Sequence, residues 1–226
     1  MIGQTLAEAG YAIEEGVLSA ESVALLREEI SRMVPSRHRA GGLRNAARKS
    51  AVLRSLSEEG PPALLARAVL GSSAQPVKVT VFDKTAAANW KVPWHQDLTI
   101  AVRERRDAEG FGPWTVKDGV PHVQPPVEVL SEMLSIRVHL DDTPEDNGAL
   151  RVIPGSHLLG RLSGSEVSRL KGTLGEAVCA VGQGGMMAMR LLLLHASSAA
   201  REGGHRRVIH IEYAAVPLPF GLEWDF

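Results

Sequence analysis

Cysteine is almost missing from this sequence: one residue, Cys179, among 226. That excludes an internal disulfide and any thiolate-rich zinc or iron–sulfur site. Aromatic residues are also few, ten in all, so those that flank a motif are the more informative. No window holds eighteen apolar residues in succession, and the N-terminus has neither the basic n-region nor the apolar h-region of a secretory signal. The chain is therefore expected in the cytoplasm, away from membranes. An excess of one charge is absent too: 25 Lys and Arg stand against 26 Asp and Glu. This argues against a basic nucleic-acid binder and against an acidic tail. Neither GxGxxG nor the GxxxxGK phosphate loop occurs, so a nucleotide cradle lacks its signature.

What is present is ordinary globular material, 44% hydrophobic and 23% charged. A chain of this length buries roughly 70% of its unfolded surface and reads as one domain over 1–226. The first 75 residues or so form a helical layer. Residues 11–18 read as a short strand and Ser19 as an N-cap. Val23, Leu26, Ile30 and Met33 then recur at intervals of three and four, giving a helix through about Met33 one apolar face. The stretch 34–50 reads as a polar loop. From Arg27 to Arg54 eight Lys or Arg face two acids, either a solvated face or a lip that steers an anion. A second helix is expected over 61–70, with proline in its first turn.

From about residue 76 the pattern changes. Short β-rich runs at 77–82, 134–140, 149–153, 177–181, 186–194 and 207–216 alternate with Gly, Pro, Asn and Asp clusters. Asp146-Asn147-Gly148 is a tight-turn signal. The expected fold class is mostly β with flanking α: a sandwich or jelly-roll core over about 76–226 with the N-terminal helices packed on it, rather than a doubly wound sheet. The stretch 101–133, with Pro125-Pro126, reads as a long insertion of the kind that carries function.

Histidine is where the sequence is asymmetric: all eight except His38 fall between 95 and 210. The sharpest motif is Trp94-His95-Gln96-Asp97. In an extended segment residues i and i+2 share a face, so His95 and Asp97 present an imidazole and a carboxylate together. With one distant histidine they make the 2-His-1-carboxylate face of a non-haem Fe(II) site, three ligands on one side and open positions opposite. An HxD alone also occurs by chance, as a surface pair or a hydrogen-bonded core histidine. The run Met189–Leu194, however, ends in His195-Ala196-Ser197-Ser198, and a histidine at the polar end of a buried strand is placed to face a cavity. Eleven residues on, Arg206 opens another strand. If the two strands pair across the loop 197–205, Arg206 lies near His195 and can grip a carboxylate bidentately, with Ser197 adding a hydroxyl.

At this point the sequence resembles the phytanoyl-CoA dioxygenase family of Fe(II)- and 2-oxoglutarate-dependent oxygenases. The resembling segments are FDKTAAANWKVPWHQD (82–97), EDNGALRVIPGSH (145–157) and LLLHASS…HRR (192–207). The resemblance implies a double-stranded β-helix, a cupin-like jelly roll. It also implies that His95, Asp97 and His195 hold Fe(II), and that Arg206, helped by Ser197, takes the distal carboxylate of 2-oxoglutarate. Turnover would consume O2, release succinate and CO2, and hydroxylate a small molecule. Halogenating relatives have a small residue in place of the carboxylate, so Asp97 favours hydroxylation. Lys84 lies where co-substrate contacts fall in the family, or is an exposed strand end. Arg137, on one face with His139 and Asp141, belongs either to the cavity or to a satisfied polar cluster.

Location suggests Trp94, Gln96, Thr99, Trp114 and Arg44 for substrate, together with Asn45, His122 and Gln124, and Trp90 and Trp94 as aromatic walls. His157, His205 and His210 are read as structural, and Cys179 as inert core. Two rival functions share the scaffold: a jelly-roll binding protein without turnover, and a cupin-type metal-dependent isomerase or hydrolase, which would need neither Arg206 nor O2.

Overall fold

The computed structural model describes residues 2–33, 42–85, 88–199 and 205–226. His38, with residues 34–41 of the basic loop expected at 34–50, and most of the loop 197–205 lie outside them. The N-terminal layer holds α1 (Ile2–Glu8), β1 (Tyr11–Glu14), α2 (Ala20–Met33), α3 (Ala46–Lys49), α4 (Ala51–Glu59) and α5 (Pro61–Leu70). Next come β2 (Gln75–Lys84), β3 (Val92–His95), β4 (Ile100–Ala101), β5 (Trp114–Lys117), β6 (Val120–Val123) and α6 (Val127–Ser131). The remainder comprises β7 (Met133–His139), β8 (Leu150–Val152), α7 (Gly164–Thr173), β9 (Ala177–Cys179), β10 (Met186–Arg190), β11 (His195–Ser197) and β12 (Arg206–Ala214).

Two antiparallel sheets form the jelly roll. The larger has the order β1-β10-β7-β12-β2, the smaller β3-β11-β8-β9, and a third sheet, β4-β6-β5, stands beside them. Strand alternation decides what each face of the larger sheet does. Val79, Val81, Ile136, Val138, Ala188, Ile209 and Ile211 point to one side, where they pack with Val23, Leu26 and Ile30 of α2, Leu53 of α4 and Ala63 and Ala66 of α5. The α2 residues are those spaced for an apolar face, and Ser19 caps the helix by accepting from the Ser22 amide at 3.2 Å. Met187 and Met189 point the other way and meet Leu150, Val152 and Cys179 of the smaller sheet. That contact closes the roll at one end.

Several elements differ from expectation. The run 186–194 is not one strand. β10 ends at Arg190, and the chain turns and enters the opposite sheet as β11. The four leucines explain the corner: Leu191 and Leu192 fill one apolar cluster, Leu193 a second and Leu194 a third, which a two-sided strand cannot arrange. The strand read over 11–18 stops at Glu14, since Gly16 turns the chain with φ 63°. The polar loop contains α3, and Leu43 bridges Val81. Asp146-Asn147-Gly148 is no hairpin tip but a single 3-10 turn closed by Gly148 at φ 70°, and it carries the chain from one sheet to the other. The insertion 101–133 supplies β5, β6 and α6. Its hairpin turns at Asp118-Gly119, both at positive φ, the conformation Asp-Gly favours.

Asp141, just past β7, ties three elements together. Its carboxylate accepts from the Arg207 backbone N–H and Nε at 2.8 and 2.9 Å, from Arg207 Nη2 at 2.8 Å and from Arg27 of α2 at 2.7 Å. Burial would raise this carboxyl, but the Arg207 hydrogen bonds and the two guanidinium charges hold it below the ordinary range. A depressed carboxylate stabilises the fold above its unfolded pKa of about 4, and that contribution fades as pH falls through the lower folded value. Asp141→Ala should therefore cost about 2–3 kcal/mol at pH 7 by urea unfolding. The gap from wild type should narrow as pH falls below the ordinary carboxylate range; a gap independent of pH would contradict this assignment.

Candidate active site

β3 and β11 pair so that His95 lies directly opposite His195, their ring centroids 4.2 Å apart. Asp97 follows two residues after His95, its amide held by the Leu191 carbonyl at 3.0 Å. One Asp97 carboxylate oxygen lies 3.7 Å from His95 Nε2 and the other 3.8 Å from His195 Nε2. One donor atom from each of the three residues falls within 4.8 Å of the others, and among the described residues no other group of His, Cys, Asp and Glu does so. The Nδ1 of each histidine lies 2.9 Å from a carbonyl two residues back, Pro93 for His95 and Leu193 for His195. An N–H donated there leaves the Nε2 lone pair free and aimed at Asp97, the tautomer a metal ligand requires. Burial pushes His195 down to about 4, so its imidazole is neutral at pH 7. Burial alone would raise Asp97, but His195, His210 and His95 outweigh it and hold the carboxyl well below the usual range. Two imidazoles and a carboxylate, with no thiolate, suit a divalent first-row metal with open positions.

The expected pairing of the strands bearing His195 and Arg206 is not found. β11 pairs with β3 and β8, whereas β12 pairs with β2 and β7 in the other sheet. The two residues nevertheless line one cavity of about 220 Å3 between the sheets. Across the β2–β12 ladder Arg206 sits opposite Lys84. Lys84 is buried and donates to Ser197 Oγ at 2.8 Å and to the Ser198 carbonyl at 2.7 Å, so it is no exposed strand end. Arg206 donates to the Gly148 carbonyl at 2.5 Å. A Cβ on Gly148 would come within 2.9 Å of the Ser198 carbonyl, so the turn depends on glycine for space as well as for its φ. Arg137 reaches the same cavity and lies over the Phe82 ring.

Three cations thus share one end of the cavity, and among the described residues none of them forms an ion pair with a carboxylate, Asp97 acting on Arg137 only from farther off. Burial, then Arg206 and Arg137, press the Lys84 ammonium down to about 7. The buried Nε atoms of Arg137 and Arg206 lack hydrogen-bond partners. Such a cluster is costly unless an anion occupies it, and a carboxylate of a dicarboxylic acid fits that need. Of the polar residues on the Arg137 face, His139 bonds Thr143 at 3.0 Å and Asp141 pairs with Arg207, so only Arg137 lines the cavity.

The expected substrate residues divide. Thr99, Arg44, His122 and Trp90 line the cavity, while Trp94, Gln96, Trp114, Asn45 and Gln124 do not. Trp94 packs with Ile153, Leu170 and Leu194 beneath Arg151. Gln96 points away from its HxD neighbours: its amide donates to Gly160 and Leu192 at 2.8 and 2.7 Å and accepts from the Leu162 N–H at 2.8 Å. Trp114 packs with the cluster of Ile100, Val123 and Trp224, and Asn45 serves as the left-handed residue before α3. His157 and His205 hold structural contacts, to the Ala7 carbonyl at 3.2 Å and the Asp83 carboxylate at 3.0 Å.

His210, by contrast, faces the cavity, with its Nε2 4.0 Å from Asp97 and 3.5 Å from Glu212. It is not a fourth ligand. Its Nδ1, 3.2 Å from the Arg137 guanidinium, must accept, which puts the proton on Nε2. His210, Glu212, Lys78 and Lys117 are the titratable lining residues that the sequence reading missed, with Thr80, Phe82, Val92 and Leu150 beside them. Their signal was present as alternation: Lys78, Thr80, Phe82 and Lys84 on β2, and Arg206, His210 and Glu212 on β12, recur every second residue.

The phytanoyl-CoA dioxygenase (PhyH) family matches residues 6–208, and the chain belongs to that family. A search of curated protein sequences gave no match. Among solved structures, the carbocyclase SnoK, an alpha-ketoglutarate-dependent non-haem protein of nogalamycin biosynthesis, is similar with a TM-score of 0.71 and 18% identity, over 94% of this chain and 82% of that one. The epimerase SnoN of the same biosynthesis, in complex with Fe3+, alpha-ketoglutarate and nogalamycin RO, gives 0.68 and 20%, over 94% and 82%. EctD from S. alaskensis with 2-oxoglutarate and 5-hydroxyectoine gives 0.70 and 18%, over 95% and 75%. These likenesses lie in the fold, the cupin-like jelly roll of iron- and 2-oxoglutarate-dependent oxygenases. No helix among the described residues is long and apolar enough to cross a membrane.

Gln96 offers a direct check on the division of roles within the HxD segment. Gln96→Ala should lower stability by about 2–4 kcal/mol in metal-free thermal or urea unfolding, because it orphans two buried carbonyls and the Leu162 amide. A variant as stable as wild type would return Gln96 to the substrate side.

Proposed function

We propose that the protein is an Fe(II)- and 2-oxoglutarate-dependent hydroxylase acting on a small molecule. In this reading His95, Asp97 and His195 hold the iron, and Arg206, Lys84, Ser197 and Arg137 hold 2-oxoglutarate. The observation that carries it is the joint presence, in one cavity, of a His-Asp-His donor set and a buried cation cluster that no carboxylate among the described residues pairs with. Membership of the family supports it. The rival readings are weaker on the same ground: an isomerase or hydrolase metal site has no use for the Arg206–Lys84 end, and a binding protein has no use for an open metal face. The iron, once bound with the co-substrate, would supply O2 activation.

The protein's own groups set the geometry around that chemistry. The backbone carbonyls of Pro93 and Leu193 orient the two imidazoles. Arg206, fixed by Gly148, offers a guanidinium to a carboxylate, and Lys84 adds an ammonium that an incoming anion would charge fully. Phe82, Val92 and Leu150 line the walls between these ends and exclude water. Asp97 occupies the position that a small residue would leave open to chloride, which favours hydroxylation over halogenation. Fold relatives that epimerise and cyclise share the architecture, so the outcome is a property of the substrate's placement.

Anaerobic addition of Fe(II) and 2-oxoglutarate should give a weak visible charge-transfer band, and aerobic incubation should release succinate. Folded, metal-loaded protein without a band would sink the assignment. His95→Ala should abolish stoichiometric iron, whereas Arg206→Ala should keep iron and weaken 2-oxoglutarate by at least about tenfold. Hydroxylation itself is read by incorporation of one 18O atom from labelled O2 into product.

Lys84 gives a pH signature. Its folded value near 7 rises when a carboxylate binds beside it, so binding takes up a proton above that pH. Affinity for 2-oxoglutarate should therefore decline from pH 7 to 9 in wild type, and this slope should flatten in Lys84→Met. Equal slopes in the two proteins would remove Lys84 from the co-substrate site.

A further inference from the structure

The cavity has a second cationic end that the oxygenase reading leaves without a task. Lys78 and Lys84 lie on the same face of β2, six residues apart, which places their backbones about 20 Å from each other. Arg206 and Ser197 belong to the Lys84 end. At the Lys78 end the cavity is lined by Lys117 of β5, His122 of β6, Thr99 and, from the basic loop, Arg44. Two of the three cations there have carboxylates of their own. Lys78 is 2.6 Å from Glu212, and Arg44 is 3.2 Å from Asp118 at the tip of the β5–β6 hairpin. Lys117 has none: its ammonium donates to the Thr99 hydroxyl at 3.0 Å, and among the described residues no carboxylate lies within ion-pair distance. It is half-buried, and burial, Lys78 and Arg44 all disfavour its charge. Glu212 and Asp97 act on it only from farther off, the first engaged by Lys78 and His210 and the second by the three cavity histidines.

The charge on the whole cavity points the same way. Among the described residues six cationic side chains line it against two carboxylates, Asp97 and Glu212. A divalent iron and a doubly charged 2-oxoglutarate cancel each other, so the bound cofactors leave that excess in place. Resting on the oxygenase reading above, we propose that the substrate carries an anionic group, a carboxylate or a phosphate, held by Lys117 with Arg44 at the end of the cavity away from Arg206. A neutral substrate would cover Lys117 and leave it desolvated with the Thr99 hydroxyl but no counter-ion. An anion there joins the hairpin to the basic loop through the Arg44–Asp118 contact and fixes the rest of the molecule toward the His-Asp-His face. His122, whose Nδ1 is bonded to the Val120 carbonyl at 3.0 Å, adds a polar group to the same wall.

The test uses inorganic phosphate and acetate as probes of the Mn(II)-loaded protein saturated with 2-oxoglutarate, followed by calorimetry and by Mn(II) broadening of the phosphate 31P signal. At least one probe should bind without displacing 2-oxoglutarate, and the tighter of the two identifies the anion class. Lys117→Gln should weaken that binding about tenfold, Lys117→Arg should restore it, and 2-oxoglutarate affinity should stay within about twofold in both. Arg44→Gln, an exposed-loop change that leaves the hairpin strands intact, should weaken the probe in the same direction and stands in if Lys117→Gln does not fold. The proposal is overturned if neither probe binds, if the bound probe is displaced by 2-oxoglutarate, or if Lys117→Gln and Arg44→Gln bind as wild type does. Failure of wild type to bind 2-oxoglutarate would instead defeat the oxygenase reading, and titration of the metal-free protein would still decide the anion site.

Discussion

Burying charge inside a small sheet protein is the constraint around which this molecule is organised. A guanidinium or ammonium taken out of water costs several kcal/mol unless anions or hydrogen bonds replace the lost solvent. Here the inner face of one sheet carries Lys78, Lys84, Arg137 and Arg206, all lining one cavity. The opposite face of the same strands bears Val79, Val81, Ile136, Val138, Ile209 and Ile211 against the helices. The helical layer thus does more than cover an edge. It supplies the apolar burial that holds strands whose other face would not hold itself, and Tyr213, whose hydroxyl donates to the Ser57 carbonyl at 2.9 Å, pins β12 to α4 within that layer.

That arrangement explains which features were readable from the sequence. The HxD pair, His195 and Arg206 were legible because each sits beside a recognisable break: Trp94-His95-Gln96-Asp97 after a proline, His195 after four leucines, Arg206 at the start of a β-rich run. Their convergence was expected for a wrong reason. A single strand through 186–194 paired with the next would have put His195 and Arg206 in one ladder, whereas the chain turns at Leu191 and places them on opposed sheets facing each other. Sequence spacing carries no record of which apolar cluster a leucine joins, and that is what makes the corner. Likewise nothing in the alternation Lys78-Thr80-Phe82-Lys84 says whether a second sheet or solvent covers that face. His210, read as structural because it lacks the HxD spacing, faces the cavity for the same reason.

Gln96 and Trp94 illustrate the opposite error. Proximity to a metal-ligand motif made them look like substrate contacts, but a strand sends neighbours to opposite sides. With His95 and Asp97 facing inward, residues 94 and 96 must face outward: Trp94 packs with Ile153, Leu170 and Leu194, and the Gln96 amide is satisfied by the backbone of 160–162 and by Leu192. The two faces of the motif depend on each other. The inner pair has its donor geometry because the outer pair is packed and hydrogen-bonded, so the segment has one register available to it.

The distribution of the proposed roles over the fold separates chemistry from selection. His95, Asp97, His195, Ser197, Lys84 and Arg206 come from the two main sheets or the residues directly at their strand ends. Thr99, Lys117 and His122 lie on or just before the small third sheet, and Arg44 on the basic loop. The jelly-roll strands cannot change without disturbing the ladder that sets His95 against His195. The third sheet shares no strand pairing with that ladder and packs through an apolar cluster in which Ile100, Val123 and Trp224 meet Val77, Leu191, Leu192 and Ala214 of the main fold. Side chains of the hairpin 114–123 can therefore be exchanged while the donor set and the co-substrate cations stay in place. The same jelly roll can then present one oxidising face to chemically different molecules, and in this chain the exchangeable wall is cationic.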